Sequence, residues 1–404
     1  MTRPLAGRFE KSFTRQEPIS PTAVASALAV LESGRLHRYD LPPDGGLGEV
    51  SSLELEFARY QGQAYCLACA SGGYALQLAL RATGVAPGDS VLTNAFTLSP
   101  VPGAIAALGA RPRLVECGPE LTLDLEHLER LAAEGDARVL LLSHMRGHIA
   151  DMHRVRAIVD ANDMLLIEDC AHTMGATFDE RRSGAHGDLA CFSTQTYKHL
   201  NSGEGGLVTG DDPTLVARAI LLSGSYMLYE RHGAAPAAEV FEPLRLDTPN
   251  CSGRMDELRA AIIRPQLARL DENAARWNER HLAMHEVLES YPGIRQPIPH
   301  PAAREVSSSI QFFTESLDDT ANERFLARCA KLGVGIKWFG RAEPVAYTSR
   351  HESWRYVAGE PMPATAGVLH RLHDCRIPLT FTVDDCRHVA TIIGESFEIA
   401  AATV

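Results

Sequence analysis

The sequence predicts an α/β fold whose core is a mostly parallel β-sheet. Between about residues 64 and 222, short apolar runs alternate with helical patterns. Strands separated by helices of about 10–15 residues are typical of βαβ units. Two of the runs, "RVLLLS" and "MLLIED", are apolar almost throughout. This pattern indicates central strands of a parallel sheet, because helices cover both of their faces.

The predicted elements follow one another in chain order. Strand and helix patterns alternate through "AYCLACAS", "ALQLALRAT", "SVLTNAF", "VPGAIAAL", "RPRLVEC", "LEHLERLAA", "RVLLLSH", "VRAIVDAN" and "MLLIEDC". After "DLACFST" and "GGLVTG", residues 224–250 are irregular, and a helical pattern then extends from Met255 to about Leu288. The rest of the chain mixes a strand pattern, "SSSIQFFTES", with a helical one, "ANERFLARCAKLG", which predicts a small α+β domain.

These patterns divide the chain into three parts. We expect residues 1–40 to form an N-terminal segment that packs on the small domain, and residues 41–254 to form the large domain. Residues 255–404 are then the linking helix and the small C-terminal domain.

Composition and charge exclude several classes of protein. The 39 basic and 51 acidic residues give a net charge of −12, which opposes binding to nucleic acid or to an anionic membrane. No window approaches the roughly 18 consecutive apolar residues that a membrane helix needs. The nine cysteines lie mostly in apolar runs, which is typical of reduced thiols in a cytoplasmic protein.

Ligands of parallel α/β proteins bind beyond the carboxyl ends of the strands, and two predicted strands end there in small or acidic residues. In "CASGGYALQLAL", Ser71, Gly72 and Gly73 open a helix, whose free N–H groups favour an anion. An ordinary strand-to-helix turn is the alternative. In "MLLIEDCAHTMGA", Glu168 and Asp169 end an apolar strand, where a carboxylate has to be paired or functional. A helix cap or a salt bridge is the alternative.

Two further strand ends carry a lysine and an aromatic residue. Lys198, in "CFSTQTYKHLNSGEGG", follows a strand in a loop rich in hydroxyls and glycines. With Ser193 and Asp169 on neighbouring strands it is a candidate Schiff-base amine, whereas most lysines are solvated surface charges. Phe96, in "LTNAFTLSPVP", ends another strand, and an aromatic residue in that place is by itself more often part of the core.

The sequence contains no complete metal-binding pattern. Cys66 and Cys69 have the spacing of a zinc-binding pair, but no second pair accompanies them. The stretch "HMRGHIADMH" lacks the Glu of HExxH. His370 and His373 are interpreted as one face of a helix without a carboxylate partner. We therefore predict no metal site.

Together, the order and spacing of these segments resemble fold-type I pyridoxal-phosphate (PLP) enzymes. The resemblance is to the sugar aminotransferase family that includes 3-amino-5-hydroxybenzoate synthase. It runs from "SGRLHRYD" through "EDCAHTMGA", "GAHGDLACFS", "YKHLNSGEGG" and "GRMDELRAA", and resumes weakly in "RIPLTFTVDDCRHVATII". It implies a three-layer PLP-transferase fold, PLP as the cofactor, and a homodimer with shared active sites.

The resemblance also implies roles for individual residues. Lys198 matches the lysine that anchors PLP covalently and shuttles a proton, Asp169 matches the aspartate that keeps the pyridine nitrogen protonated, and His172 matches a residue that contacts the ring. The remaining matches hold the cofactor: Phe96 stacks on the ring, Gly72, Gly73 and Ser193 bind the phosphate, and Asn250 reaches the phosphate of the neighbouring subunit.

The chain departs from the family pattern at several places. The family's Gly-Thr is Gly72-Gly73 here, its "HLYG" is "HMRG", its "SFYPTK" is "STQTYK", and Asn250 is followed by "CSGRM". Residues 335–356, beginning "GIKWFGRAEP", lack the family's usual Pro-Leu-His pattern. Within these departures Arg146, Lys337 and Arg341 are candidates to contact an anionic substrate such as a carboxylate or phosphate.

The resemblance implies a PLP-dependent aminotransferase. It would move an amino group from L-glutamate or L-glutamine to a keto group of a sugar, cyclitol or related compound, in the biosynthesis of a specialised metabolite or polysaccharide. Three alternatives stay open: an aminotransferase for a non-sugar keto acid, a pyridoxamine-dependent sugar dehydratase, and a catalytically silent sensor with the same fold. In the dehydratases a histidine replaces the lysine, whereas this chain has Lys198.

Overall fold

The structure, a computed structural model of the chain, describes residues 6–346, 350–357, 359 and 361–402. Its helices are α1 Pro21–Ser33, α2 Glu49–Gln61, α3 Gly72–Ala82, α4 Pro100–Ala107, α5 Leu125–Ala133, α6 Met152–Ala161, α7 Pro213–Ile220, α8 Ala238–Phe241, α9 Glu257–Leu267, α10 Leu270–Glu289, α11 Asp319–Lys331, α12 Pro363–His370 and α13 Val383–Ala401. Its strands are β1 Tyr65–Cys69, β2 Ser90–Asn94, β3 Arg111–Val115, β4 Ala137–Ser143, β5 Leu165–Asp169, β6 Thr177–Phe178, β7 Arg181–Arg182, β8 Leu189–Ser193, β9 Gly206–Gly210, β10 Ile294–Arg295, β11 Ala303–Arg304, β12 Ser309–Thr314, β13 Lys337–Trp338 and β14 Leu372–Arg376.

A seven-stranded sheet with the order β1-β9-β8-β5-β4-β2-β3 forms the centre of the fold. Strand β9 is antiparallel to both of its neighbours, β1 and β8. The other four pairings, β8 with β5, β5 with β4, β4 with β2 and β2 with β3, are parallel. The predicted α/β fold with a mostly parallel sheet is therefore confirmed. The carboxyl ends of β1, β2, β4, β5 and β8 lie at the same edge of this sheet, because β1 and β8 are both antiparallel to β9.

The apolar run of β4 is explained by the helices on its two sides. Val139 and Leu141 belong to the hydrophobic cluster that includes α3, α4 and α7, whereas Leu140 and Leu142 belong to the cluster of α5 and α6. Successive side chains of a strand point to opposite faces of the sheet. A strand covered on both faces therefore needs apolar residues at every position, and the result is a three-layer arrangement.

A second, four-stranded antiparallel sheet with the order β10-β12-β14-β13 forms the small C-terminal part. Its hydrophobic cluster includes residues of α10, α11 and α13, together with Phe9 from the N-terminus. The Phe9 amide donates to the Leu332 carbonyl at 2.8 Å, and Lys11 forms an ion pair with Asp385 at 2.5 Å. The beginning of the described chain thus contacts the small C-terminal part, whereas α1 packs along α9. The domain boundaries themselves stay a prediction.

Two details of the structure differ from the sequence interpretation. The helical pattern from Met255 to Leu288 is divided into α9 and α10, which meet at Arg269. Pro265 lies in the last turn of α9, where it lacks the N–H that would continue the hydrogen-bond ladder. The interpretation of His370 and His373 as one helix face is wrong, because α12 ends at His370 and His373 lies in β14.

No helix within the described ranges combines the length and the apolarity needed to cross a bilayer.

Candidate active site

A cavity of about 570 Å³ opens between the carboxyl edge of the large sheet and the small C-terminal part. The predicted residues Lys198, His172, Ser193 and the glycine pair Gly72–Gly73 line it. They reach it from the ends of β1, β5 and β8, three strands of the same sheet edge. The structure therefore brings together residues that are widely separated in the sequence.

Lys198 lies in the loop that follows β8, and its Nζ atom is 2.8 Å from His172 Nε2. Burial lowers the pKa of Lys198 to about 7; the nearby Asp169 carboxylate opposes this effect, and Arg146 adds to it. Burial and the neighbouring Lys198 hold the pKa of His172 well below its usual range. The contact therefore joins a neutral imidazole to an amine that loses its proton near neutral pH. An amine in this state can act as a nucleophile and as a proton carrier.

Asp169 ends β5 with its carboxylate almost fully buried, 8% exposed. Ser143 Oγ donates to Oδ2 at 3.0 Å, and the Ala171 amide donates to Oδ1 at 3.1 Å. Thr97 Oγ1 in turn donates to Ser143 Oγ at 2.8 Å, and this contact orients the Ser143 hydroxyl toward Asp169. Burial raises the pKa of Asp169 above its usual value. A cation such as a protonated pyridine nitrogen would compensate this carboxylate.

Glu168 points to the opposite side of β5 from Asp169 and has a structural role. His144 Nε2 lies 2.9 Å from its carboxylate, and the amides of Gly184, His186 and Gly187 donate to it. Burial would raise the pKa of Glu168, but these hydrogen bonds keep it below its usual value. Ligand atoms of His144, Glu168 and Cys170 lie within 4.8 Å of one another. We assign no metal to them, because the hydrogen bonds already use both oxygens of Glu168.

The amino end of α3 forms a turn with room for an anion. Ser71 caps the helix, and its Oγ accepts a hydrogen bond from the Tyr74 amide at 3.1 Å. A Cβ atom added to Gly72 would lie 2.7 Å from the Ser193 Cβ, so this close approach requires glycine. Free amides at a helix N-terminus bind phosphate groups well. This turn, the buried Asp169 carboxylate and the neutral Lys198 amine together match what PLP requires, so the residues present fit this cofactor.

Four predicted residues do not line the cavity: the buried Asp169 described above and three others. Phe96 is 2% exposed and packs edge-on against the Phe339 ring at 5.2 Å between ring centroids. Asn250 lies on the surface, where its Oδ1 accepts from the Tyr226 amide at 2.9 Å. Arg341 forms an ion pair with Glu323 at 2.7 Å. Their contacts with cofactor or substrate remain predictions.

Arg146 does line the cavity, and its backbone has an unusual conformation. Its φ is +61°, in the left-handed region, which costs a residue with a Cβ atom roughly 1 kcal/mol. The following Gly147 packs close to the His172 carbonyl, 3.4 Å from the position of an added Cβ. Arg146 is therefore held beside the residue that contacts Lys198.

Much of the remaining wall comes from segments that the sequence did not identify. These segments are the chain before α1, the junction of α9 with α10, and the end of β14, and they contribute Gln16–Ser20, Pro265, Gln266, Arg269, Asn273, Trp277, and Arg376–Leu379. None of them carries a local motif. Only the fold brings these segments to the cavity.

The sequence profile of the DegT/DnrJ/EryC1/StrS aminotransferase family matches residues 28–393. The chain belongs to this family. The resemblance and the aminotransferase activity inferred from the sequence are thus confirmed.

Individual relatives of this family agree with that assignment. The chain is 34% identical over 303 residues, 73% of each chain, to dTDP-3-amino-3,4,6-trideoxy-alpha-D-glucose transaminase of Streptomyces venezuelae. It is 32% identical over 316 residues, 76% of this chain and 72% of the relative, to L-glutamine:2-deoxy-scyllo-inosose aminotransferase of Streptoalloteichus tenebrarius. The crystal structure of 3-amino-5-hydroxybenzoic acid synthase matches with a TM-score of 0.81 and 25% identity, covering 96% of this chain and 99% of the synthase.

Proposed function

We propose that this aminotransferase uses PLP to move an amino group from L-glutamate or L-glutamine to a keto group of a sugar, cyclitol or related compound. One observation carries the proposal: the partly buried Lys198 amine contacts a neutral His172 close to the buried Asp169 carboxylate, near a glycine turn suited to a phosphate. The names of the two relatives described above support a sugar or cyclitol acceptor in a biosynthetic pathway.

Each of these residues has a defined task. Bound PLP supplies a ring that accepts electrons from the substrate's reacting carbon. The Asp169 carboxylate holds the proton on the ring nitrogen, and Ser143 keeps that carboxylate in place. The Lys198 amine anchors the cofactor and carries a proton at Nζ, while His172 orients Nζ. Gly72, Gly73 and Ser193 hold the phosphate.

The proposed assembly is a homodimer whose active sites are shared between subunits. Asn250 lies on the surface and outside the cavity of its own chain, as expected if it serves the partner's site. Exposed apolar side chains also cover α1 and its surroundings: Val24, Leu28, Leu31 and Leu36 are 45–54% exposed. Contiguous apolar surface of this kind is typical of a protein interface.

Mixing two inactive variants tests this assembly. Lys198→Ala and Asn250→Ala should each have low activity alone, and mixed subunits should regain activity, because one of the two sites in a hybrid dimer has both residues. No recovery after mixing, together with a monomeric mass in sedimentation, would contradict shared sites. The variant Asp247→Ala, on the same exposed loop, is the matched control for loss of a surface residue.

The absorption spectrum tests the activity itself. The purified protein with PLP should show the band of covalently held cofactor, and L-glutamate or L-glutamine should bleach that band. Lys198→Ala should lack it. A protein that binds no PLP, or whose band is unchanged by every amino donor, would contradict the proposal and favour the silent sensor.

We also propose that the enzyme works in the cytoplasm. All nine cysteines are free thiols, and eight of them are buried, which fits a reducing compartment.

A further inference from the structure

One wall of the cavity carries three cationic side chains around a single carboxylate. Arg146 from the loop after β4, Lys337 from β13 and Arg376 from β14 all line the cavity. Asp374 lies behind them, with Oδ2 at 3.1 Å from Arg146 Nη2. Its other oxygen, Oδ1, accepts a hydrogen bond from Gln311 at 2.7 Å. Asp374 thus lies near these cations, and its ion pair is with Arg146.

Arg146 is the member of this group whose hydrogen-bonding capacity is least satisfied. Its side chain is only 9% exposed, and within the described part of the chain its Nε atom has no hydrogen-bond partner, whereas Nη2 faces the Asp374 carboxylate at 3.1 Å without hydrogen-bond geometry. The guanidinium also lies 5.8 Å from the centroid of the Phe339 ring. A buried guanidinium with unmatched donors is costly. A planar anion such as a carboxylate, or a phosphate, bound in the cavity would compensate the charge of this guanidinium.

This cationic wall is distinct from the turn that suits the cofactor phosphate. Ser193 ends β8 and Arg146 follows β4, and β5 lies between those two strands. Two strand spacings correspond to about 10 Å. A phosphate bound by Gly72, Gly73 and Ser193 would therefore lie too far away to pair with Arg146.

We propose that the keto substrate itself carries a carboxylate or phosphate close to its reacting carbon, and that Arg146 binds this group and selects anionic over neutral ketones. The inference rests on the proposed function. The anionic group would lie close to the reacting carbon because the loop of Arg146 packs on His172 and His172 contacts Lys198.

The alternating use of the cavity strengthens the argument for the acceptor. In a ping-pong reaction the donor and the acceptor occupy the same site in turn, so Arg146 faces both. A neutral acceptor would exclude water from Arg146 without replacing its hydrogen bonds. An acceptor with its own anionic group would instead form hydrogen bonds with Arg146. Lys337 fits the same picture, because burial, together with Arg146, lowers the pKa of Lys337 to about 8.

Calorimetric titration of the PLP-loaded enzyme tests the inference with matched sugars. D-glucuronate and D-glucose differ at C6 as carboxylate and hydroxyl, and D-glucose 6-phosphate supplies the phosphate arm. We expect at least one of the two anionic sugars to bind about 10- to 100-fold more tightly than glucose. Arg146→Gln should abolish that preference, and Arg387→Gln, which removes an exposed cation of α13 outside the cavity, should keep it.

A second variant tests the same wall in the opposite direction. Asp374→Asn removes the carboxylate that competes for Arg146 and keeps the hydrogen-bonding shape, so the anionic sugar should bind several-fold more tightly. This variant also decides the question if Arg146→Gln fails to fold. Unchanged or weaker anion binding in Asp374→Asn, or an unchanged preference in Arg146→Gln, would overturn the inference.

The donor reaction keeps this inference separate from the proposed function. Wild-type enzyme whose cofactor band bleaches with a donor but that binds all three sugars alike would retain the aminotransferase function and refute the role of Arg146. An Arg146-dependent preference for anions in a protein that never reacts with a donor would support the anion site and refute the aminotransferase function. If Arg146→Gln slows only the donor reaction, Arg146 serves the amino acid and the inference about the acceptor is wrong.

Discussion

The two sides of the cavity are built in different ways. The cofactor side consists of the Ser71–Gly73 turn, Ser193 and Lys198, with the buried Asp169 close to Lys198, and all of them follow or end strands of one sheet. The substrate side consists of Arg146, Lys337 and Arg376, which come from a loop of the large sheet and two strands of the small one. Backbone amides of a helix end form much of the cofactor side, whereas partly buried cations characterise the substrate side.

Separate parts of the fold therefore provide the residues for the chemical step and the residues that select the substrate. The cofactor side needs only the register of adjacent parallel strands. The substrate side depends on how the small sheet sits against the large one, as in the ion pair of Arg146 with Asp374. Changes on the cofactor side should therefore stop the chemistry, and changes on the substrate side should alter binding.

The largest expected effect is that of Lys198→Ala. Without the amine the enzyme loses both its covalent anchor and its proton carrier, so the donor reaction should slow at least about 10⁴-fold. Borohydride reduction followed by peptide mass spectrometry should find PLP attached at Lys198 in the wild type and at no residue in the variant. Lys331→Ala, at the exposed end of α11, is the matched control. A variant that keeps more than a hundredth of wild-type activity would contradict this role.

Some candidate residues from each side line the cavity and others do not, and the reason for the difference is physical. Asp169 and Lys198 each follow an apolar strand, so their position could be inferred from local pattern. Lys337 and Arg341 are close in sequence, yet Lys337 lines the cavity and Arg341 pairs with Glu323. Strand β13 has only two residues, and no local pattern indicates where the chain turns after it.

The outer walls of the cavity could not be predicted for a related reason. Trp277 reaches the cavity from α10, in a helical pattern that continues through the break at Arg269. The apolar period alone does not show that break. Long-range packing decides it, together with the hydrogen bond that Pro265 cannot make.

The next largest effect is expected for Asp169→Asn. An amide keeps the size of the side chain and one accepting oxygen but carries no charge to hold a proton on the ring nitrogen, so the donor reaction should slow about 10²- to 10³-fold. PLP should remain covalently attached, which distinguishes this variant from Lys198→Ala. The exposed Asp179→Asn is the control. Normal turnover in Asp169→Asn would show that the carboxylate does not act on the cofactor.

A smaller effect concerns the pH at which cofactor-free protein captures PLP. Burial lowers the pKa of Lys198 to about 7, and only the neutral amine is a nucleophile. Below that pKa the proton blocks attack, so capture should be about tenfold slower at pH 6 than at pH 8 and should level off above pH 8. Stopped-flow absorbance measures the rate. A rate that still rises between pH 9 and pH 10 would mean that Lys198 keeps the pKa of a solvated lysine.

The smallest effect is expected for Arg341→Gln. Arg341 is close to Lys337 in the sequence but does not line the cavity. The Arg341 side chain is 33% exposed and its partner Glu323 is 54% exposed, and such surface pairs contribute about 0–1 kcal/mol to stability. The melting temperature should change little. The Michaelis constants for donor and acceptor should each change less than about twofold. Arg146→Gln, measured in parallel, should raise the acceptor constant more than the donor constant. If the two variants behave alike, the division of the cavity into a cofactor side and a substrate side does not hold.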